Sequence, residues 1–113
     1  MKLVALAAII AALVAPSALA ATPTLNGTVG PGFTITLKKG TTKVTKLKAG
    51  KYIFKISDKS SIHNFHLKGP GVNKMTTVGA TGNSTWTLTL KKGKYTYVCD
   101  PHATIMKGSF TVS

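Results

Sequence analysis

The sequence contains no arginine and only two acidic residues, Asp58 and Asp100, against 15 basic residues that are all lysine, so that its formal net charge is +13. A field of this sign attracts acidic partners, anionic surfaces or nucleic acid. Arginine is the residue that proteins prefer for bidentate recognition of phosphates and bases. Its absence argues against nucleic-acid binding and favours acidic protein partners. Many of the lysines are expected to occupy solvated outward positions on strands, where they discourage edge pairing.

Cysteine is almost absent as well, since Cys99 is the only one in the 113 residues. A single cysteine cannot form an internal disulfide, so its thiol is free, paired with another chain, or a metal ligand. A free thiol is a liability in an oxidising compartment, and ligation of a metal ion would remove it.

Long apolar runs are limited to one stretch near the N-terminus, Leu3–Val14. It follows Lys2 and precedes the small-residue site Ala18–Ala20, a pattern typical of a secretory signal peptide cleaved before Ala21. The run has 12 residues, whereas a membrane-spanning helix needs about 20. We therefore expect a signal peptide over residues 1–20, one domain over residues 21–113, no transmembrane segment after cleavage, and a periplasmic or secreted protein.

No segment of useful length repeats its apolar residues with the 3.6-residue period of an amphipathic helix. Apolar residues instead alternate with polar ones in short runs, which predicts strands. The runs are residues 25–29 (a short edge strand), 33–37, 44–47, 52–57, 62–67, 84–90, 95–99 and 110–112, with a loop or loose edge strand over residues 72–83. We expect Trp86 and Met75 to fill the core. Strands at about this spacing, joined by glycine and lysine turns, predict an all-β sandwich.

The stretch Tyr97–Met106 concentrates the rarest side chains. It holds Cys99, then His102 three residues later, then Met106 four residues after that. Thiolate, imidazole and thioether suit copper, and one Cys plus two His with a weak axial Met is the donor set of blue-copper sites. Zinc is the main competitor, but its structural sites favour more Cys or His. The stretch therefore predicts three of the four ligands of one copper ion per chain.

The fourth donor must be one of the two other histidines, His63 or His66. We choose His63. If residues 62–67 form a regular strand, His63 and Phe65 share one face while Asn64 and His66 share the other. Both histidines then cannot reach one ion, and we expect His66 to be an exposed strand residue.

These motifs resemble those of a known family, the plastocyanin/amicyanin branch of the cupredoxins, over nearly the whole chain after residue 20. The matching features are His63-Asn64, Tyr97-Val98-Cys99-Asp100-Pro101-His102, Met106 and the final segment 107–112. The resemblance implies a Greek-key β-sandwich whose type 1 copper is bound by His63, Cys99, His102 and Met106. It further implies that Asn64 hydrogen-bonds across to the loop that carries Cys99. One departure is loop length, because the three residues between His102 and Met106 are fewer than in typical plastocyanins and more than in amicyanins.

The resemblance also implies a function, that of a small one-electron carrier cycling between Cu(II) and Cu(I), and not an enzyme. His102 is expected to lie nearest the surface and to be the exit for the electron, in a monomer whose redox partners present acidic faces. Two alternatives stay open, namely copper storage or delivery through the same ligands, and a metal-free sandwich that serves as an interaction module. A copper reductase would need a second copper site, which three histidines cannot supply.

Overall fold

The computed structural model describes residues 21–113. The expected signal peptide, residues 1–20, lies outside the described residues. Within residues 21–113, no helix has the length and apolar character needed to cross a membrane. The described elements are β1 Thr24–Val29, β2 Ile35–Lys39, β3 Thr42–Lys43, β4 Lys46–Leu47, β5 Gly50–Asp58, β6 His66–Gly69, β7 Val72–Met75, β8 Gly82–Leu90, β9 Gly93–Val98, a 3₁₀ turn Asp100–His102 and β10 Lys107–Val112.

The ten strands form two five-stranded sheets that enclose one core. The first sheet has the order β3-β2-β1-β5-β8 and the second has the order β4-β10-β9-β6-β7. Neighbours are antiparallel except for β1 with β5 and β4 with β10, which run parallel. This architecture confirms the predicted all-β sandwich.

The longest strand pair, β5 with β8, follows the predicted alternation. Tyr52, Phe54 and Ile56 of β5 point into the core, as do Trp86 and Leu90 of β8. The two strands pair along their whole length, with Phe54 opposite Trp86. Because burying a large apolar side chain stabilises a fold by about 1.5–3 kcal/mol, this pair anchors one wall of the sandwich.

Stacked aromatic rings hold β9, the strand that leads to the only cysteine. Tyr95 stacks on Phe110 of β10 with a centroid distance of 5.2 Å, and Tyr97 stacks on Phe65 at 5.5 Å. A Cβ atom on Gly108 of the adjacent strand would stand 2.2 Å from the Tyr97 ring. Only glycine allows this close approach, so the Tyr97 ring fills the space that a side chain at position 108 would need.

Two predictions for the first sheet are wrong in detail. Residues 25–29 do form a strand, but β1 lies between β2 and β5 inside the sheet and is not an edge. The strand predicted over residues 33–37 begins only at Ile35 in the structure. Phe33 instead belongs to a loop that turns at Gly30, whose φ is +74°. A non-glycine residue rarely adopts that conformation. The alternation from Phe33 to Leu37 gave no sign of the turn.

The predicted strand 62–67 is also wrong, because β6 begins only at His66. Residues 62–65 form an irregular segment that starts with a turn in which the His63 amide donates to the Ser60 carbonyl at 3.3 Å. His66 is 5% exposed, so the expectation of an exposed strand residue is wrong. Met75, expected in the core, is 51% exposed at the end of β7. That strand lies at the edge of the second sheet, as one of the two predictions for residues 72–83 proposed.

Candidate metal centre

The candidate donors meet where the irregular segment between β5 and β6 faces the loop between β9 and β10. The segment provides His63, and the loop provides Cys99, His102 and Met106. Backbone hydrogen bonds close the loop, since the Cys99 amide donates to the Met106 carbonyl and the His102 amide to the Cys99 carbonyl, both at 3.0 Å. Pro101 lies in the 3₁₀ turn of this loop, where its fixed φ suits a helical start. The loop therefore doubles back and brings residues 99 and 102 together.

Three donor atoms form a compact triangle. The two imidazole Nδ1 atoms of His63 and His102 are 3.1 Å apart, and the Cys99 Sγ lies 3.6 Å from each of them. A point equidistant from the three atoms lies about 2 Å from each, and metal bonds to nitrogen and thiolate sulfur are about 2.0–2.3 Å long. The cavity between the three side chains therefore has the size of a single metal ion.

Burial strengthens the fit to a metal. His63 and Cys99 are fully buried and His102 is half-buried. Buried polar atoms need a bonding partner. A shared proton joins only two of the three donor atoms, whereas a metal ion joins all three. The donor types, two imidazoles and a thiolate, are those of blue copper.

Met106 supplies a fourth soft donor at the end of the same loop. Its side chain is 1% exposed, and its amide donates to the His102 carbonyl at 2.9 Å. The backbone of Met106 is thus bonded to both Cys99 and His102, which fixes the position of this residue in the loop. A weakly bound axial methionine is the remaining member of the blue-copper donor set.

Asn64 links the two segments beside the thiol. Its backbone N–H donates to the Cys99 Sγ at 3.4 Å. Its side chain makes a reciprocal pair with the loop, because Oδ1 accepts from the Asp100 amide at 2.8 Å and Nδ2 donates to the Asp100 carboxylate at 2.7 Å. These bonds orient the sulfur from outside the donor triangle.

Sequence reasoning missed the pairing of His66 with Asp100. The His66 Nδ1 lies 2.8 Å from Oδ1 of Asp100 and 3.0 Å from its Oδ2. Partial burial by itself would raise the pKa of Asp100, but hydrogen bonds from Asn64 and His66 and the charges of His66 and Lys68 outweigh it and hold that pKa below its usual value. No periodic signal marks this pair, because its partners lie 34 positions apart, His66 at the start of β6 and Asp100 in the loop after β9.

Phe33 is a further residue whose place at the site the sequence did not reveal. Its ring stands edge-on against both histidines, with centroid distances of 5.4 Å to His63 and 5.0 Å to His102. It is 57% exposed. Ile62 and Ile105, each next to or near a candidate ligand in sequence, are also exposed. Phe33 therefore gives the site exposed apolar surface beside His102, although the sequence as a whole is rich in lysine.

Comparison with known families supplies the deciding observation. Residues 32–113 match the model of the copper binding proteins of the plastocyanin/azurin family. The chain belongs to this family. The resemblance inferred from the sequence is thereby confirmed, and the cupredoxin cluster of His63, Cys99, His102 and Met106 is consistent with one type 1 copper. Cupredoxins are small electron carriers and not enzymes.

Solved structures agree on the fold. Reduced rusticyanin superposes with a TM-score of 0.61 at 21% identity, covering 80% of this chain and 78% of that one. Rusticyanin from Thiobacillus ferrooxidans gives a TM-score of 0.56 at 22% identity, with 80% and 76% covered. At this identity the likeness shows the cupredoxin fold alone. A search of curated proteins found no significant match.

Proposed function

We propose that this cupredoxin binds one copper ion through His63, Cys99 and His102, with Met106 as the weak axial ligand, and carries single electrons between redox partners outside the cytoplasm. The donor triangle with sides of 3.1 and 3.6 Å supports this assignment. Copper, when bound, supplies the one-electron Cu(II)/Cu(I) couple. The signal-peptide pattern of residues 1–20 supports export.

The protein's own contribution is a site that is already assembled. Three of the proposed ligands lie in a loop closed by backbone bonds, and Asn64 joins that loop to the segment that holds His63. The stacked rings of β9 fix the strand below the sulfur. A site held in this way changes little when its charge changes, which favours rapid electron transfer over reactions that need an open coordination position.

The electron is proposed to leave through His102, the most exposed of the three triangle residues. Phe33 and Ile105 give this face exposed apolar area, and exposed apolar patches mark interaction sites. The lysines elsewhere favour partners with acidic faces and speed their approach at low salt. We propose a monomer that docks such partners transiently with the apolar face.

The decisive test is addition of Cu(II) to the purified protein corresponding to residues 21–113. We expect one equivalent of copper to produce an intense thiolate-to-copper absorption band in the visible region. Cys99→Ala should abolish the band, whereas Met75→Leu, a change at an exposed methionine outside the site, should leave it intact. Absence of the band in the unmodified protein would refute the proposal.

Copper storage or delivery uses the same ligands, so a second measurement separates it from electron transfer. The burial of His63 and Cys99 favours retention of the metal. We therefore expect a reversible one-electron potential and copper loss to a chelator that is slow compared with electron exchange. Ready transfer of copper to a chelator or an apo-protein would instead support the delivery function.

A further inference from the structure

Asp100 lies between two proposed copper ligands, yet its carboxylate bonds to neither of them. It accepts hydrogen bonds from the Asn64 Nδ2 at 2.7 Å and lies 2.8 Å from the His66 Nδ1. Both of these residues precede or begin β6, so one carboxylate joins the loop after β9 to the neighbouring strand. In the described chain the other acidic residue, Asp58, belongs to β5 in the opposite sheet.

His66 extends this connection to the edge of the sheet. Its Nε2 faces the Oδ1 of Asn73 on β7, and its backbone lies opposite Val98 on β9 and Met75 on β7. Both ring nitrogens are therefore engaged, one on each side. The ring is almost fully buried, so it cannot turn without losing hydrogen bonds that water would not replace.

The contacts make a continuous series from β7 through His66 to Asp100. Asp100 is covalently joined to Cys99, and its backbone amide donates to the Oδ1 of Asn64. The backbone amide of Asn64 in turn donates to the Cys99 Sγ. Any rotation of the loop that moves the sulfur must therefore stretch the bonds of Asp100. The bonds of Asp100 and His66 involve no donor atom of the triangle, so they do not depend on a bound metal. The Asn64 bond to the Cys99 Sγ is the one contact in the series that touches a donor atom.

We propose that Asp100 and His66 form a clamp that positions the Cys99–His102 turn against β6, so that the copper site keeps its shape in the copper-free protein and in both oxidation states of the metal. The part that concerns copper rests on the proposed function. The part that concerns the copper-free loop does not. Asp100 and His66 are positioning residues in this proposal and bind neither copper nor a partner.

Asp100→Asn tests the clamp with almost no change in volume. The carboxylate has two acceptor oxygens, which serve His66 and Asn64 together. An amide has only one acceptor oxygen, so either His66 or Asn64 must then face an NH₂ group. His66→Leu breaks the same connection from the other side and fills the buried position with an apolar side chain that cannot form hydrogen bonds.

The first measurement is amide hydrogen exchange in the copper-free protein. The backbone amides of His102 and Met106 both form hydrogen bonds within the loop. We expect their exchange rates to rise about five- to tenfold in either variant, because each variant loses one partly exposed hydrogen bond to a charged group. Amides of β5 and β8 should be unchanged. The variant His66→Leu/Asp100→Asn should be no faster than the faster single variant, because both changes break one connection.

The matched control is Asp58→Asn, which removes the same charge from the opposite sheet. Asp58 accepts from the Ser60 amide through one oxygen, and an asparagine can keep that bond. The clamp would be overturned if the loop amides of Asp100→Asn exchanged at the same rate as those of the unmodified protein. It would also be overturned if Asp58→Asn raised their exchange rate by as much as Asp100→Asn does. Additive effects in the double variant would overturn it as well.

The second measurement is spectroscopic and concerns the copper-loaded protein. If the clamp aims the thiolate, Asp100→Asn should shift or weaken the thiolate-to-copper band at full copper occupancy, and Asp58→Asn should not. An unchanged band would confine the clamp to the copper-free loop and overturn its extension to copper. Failure of the unmodified protein to form the band would refute the proposed function and would leave the hydrogen-exchange result to decide the clamp.

Discussion

Phe33 shows how a single exposed residue can belong to the site. An aromatic side chain with more than half of its surface in water gains little from burial, yet its ring packs in a T-shaped arrangement against both histidines of the donor triangle. Phe33 is thus both exposed to solvent and in contact with the site. Phe33 is therefore expected to affect access to the metal far more than the stability of the fold.

Phe33→Ala should change the free energy of unfolding of the copper-free protein by less than about 1 kcal/mol, as for most exposed positions. Edge-to-face aromatic contacts are worth about 0.5–1.5 kcal/mol, so copper release to a chelator should become several-fold faster. Val78→Ala, a change at another exposed apolar residue, should leave the release rate unaltered. Equal release rates in all three proteins would show that Phe33 does not shield the site.

The aspartate after the cysteine should give the copper-free protein a characteristic pH dependence. Its pKa is held below the usual value, whereas in the unfolded chain it is about 3.9. A lowered native pKa means that the contribution to stability is complete above the unfolded pKa and disappears as the pH falls through the native one.

We therefore expect Asp100→Asn to lower the free energy of unfolding by about 1 kcal/mol at neutral pH, the carboxylate being partly exposed and screened. The difference from the unmodified protein should be constant above about pH 5 and shrink below about pH 4. Denaturant unfolding of both copper-free proteins across this range measures it. A difference that grows on acidification would contradict the assignment.

Residue identity carried most of the information about the site, and alternation carried little. Cys99, His102 and Met106 could be singled out because thiol, imidazole and thioether side chains are rare in this chain and these three lie within eight consecutive residues. The pairing of His66 with Asp100 could not, because its partners lie 34 positions apart in sequence. The backbone also leaves the strand conformation between Ile62 and Phe65, and a period-two pattern assumes that no such departure occurs.

At the scale of elements, β9 and its two neighbours form the support of the thiol. The Tyr97 ring lies over Gly108 of β10, and the Tyr95 ring lies over Gly69 of β6, where an added Cβ would stand 2.1 Å from it. Each ring thus occupies the space that a side chain on the adjacent strand would need.

Gly108→Ala should therefore destabilise the protein by about 1–3 kcal/mol, the usual cost of forcing extra volume into a packed core. The displaced Tyr97 ring should also disturb Cys99, two residues later on the same face. Gly32→Ala serves as the control, since a Cβ there meets no atom within 4 Å. Thermal unfolding and the visible spectrum of the copper-loaded variants test both effects, and equal stability of the two variants would count against this packing.

The same scale shows which elements the sequence could predict. The strands with strict alternation, β5, β8 and β9, are predicted to within two residues at each end because one face is buried and the other is not. The place of β1 inside its sheet was not predictable, since its parallel pairing with β5 is a long-range choice that leaves no local mark. Short elements such as β3 and β4 are set by their neighbours.

At the scale of the whole molecule, the charge is almost entirely of one sign. Of the two aspartates, Asp58 is buried, and Asp100 contacts Asn64 and His66. These two carboxylates face the 14 lysines found in residues 21–113, so the field of this part of the chain is strongly positive.

Electron transfer to an acidic redox protein should therefore slow by about tenfold or more as the ionic strength rises from about 0.01 M to 0.15 M, because the screening length falls from about 30 Å to about 8 Å. With a basic redox protein the rate should rise over the same range. Stopped-flow kinetics with both partners provides the measurement. A rate independent of salt with both would exclude electrostatic steering.

The hydrogen bond from the Cys99 amide to the Met106 carbonyl has an evolutionary consequence. It closes the loop directly above the ladder in which Val98 pairs with Lys107, so the three residues between His102 and Met106 could be lengthened, shortened or replaced without shifting that register. The geometry of the site can then vary among descendants of one ancestor by small insertions, while the two sheets that fold the chain are inherited unaltered.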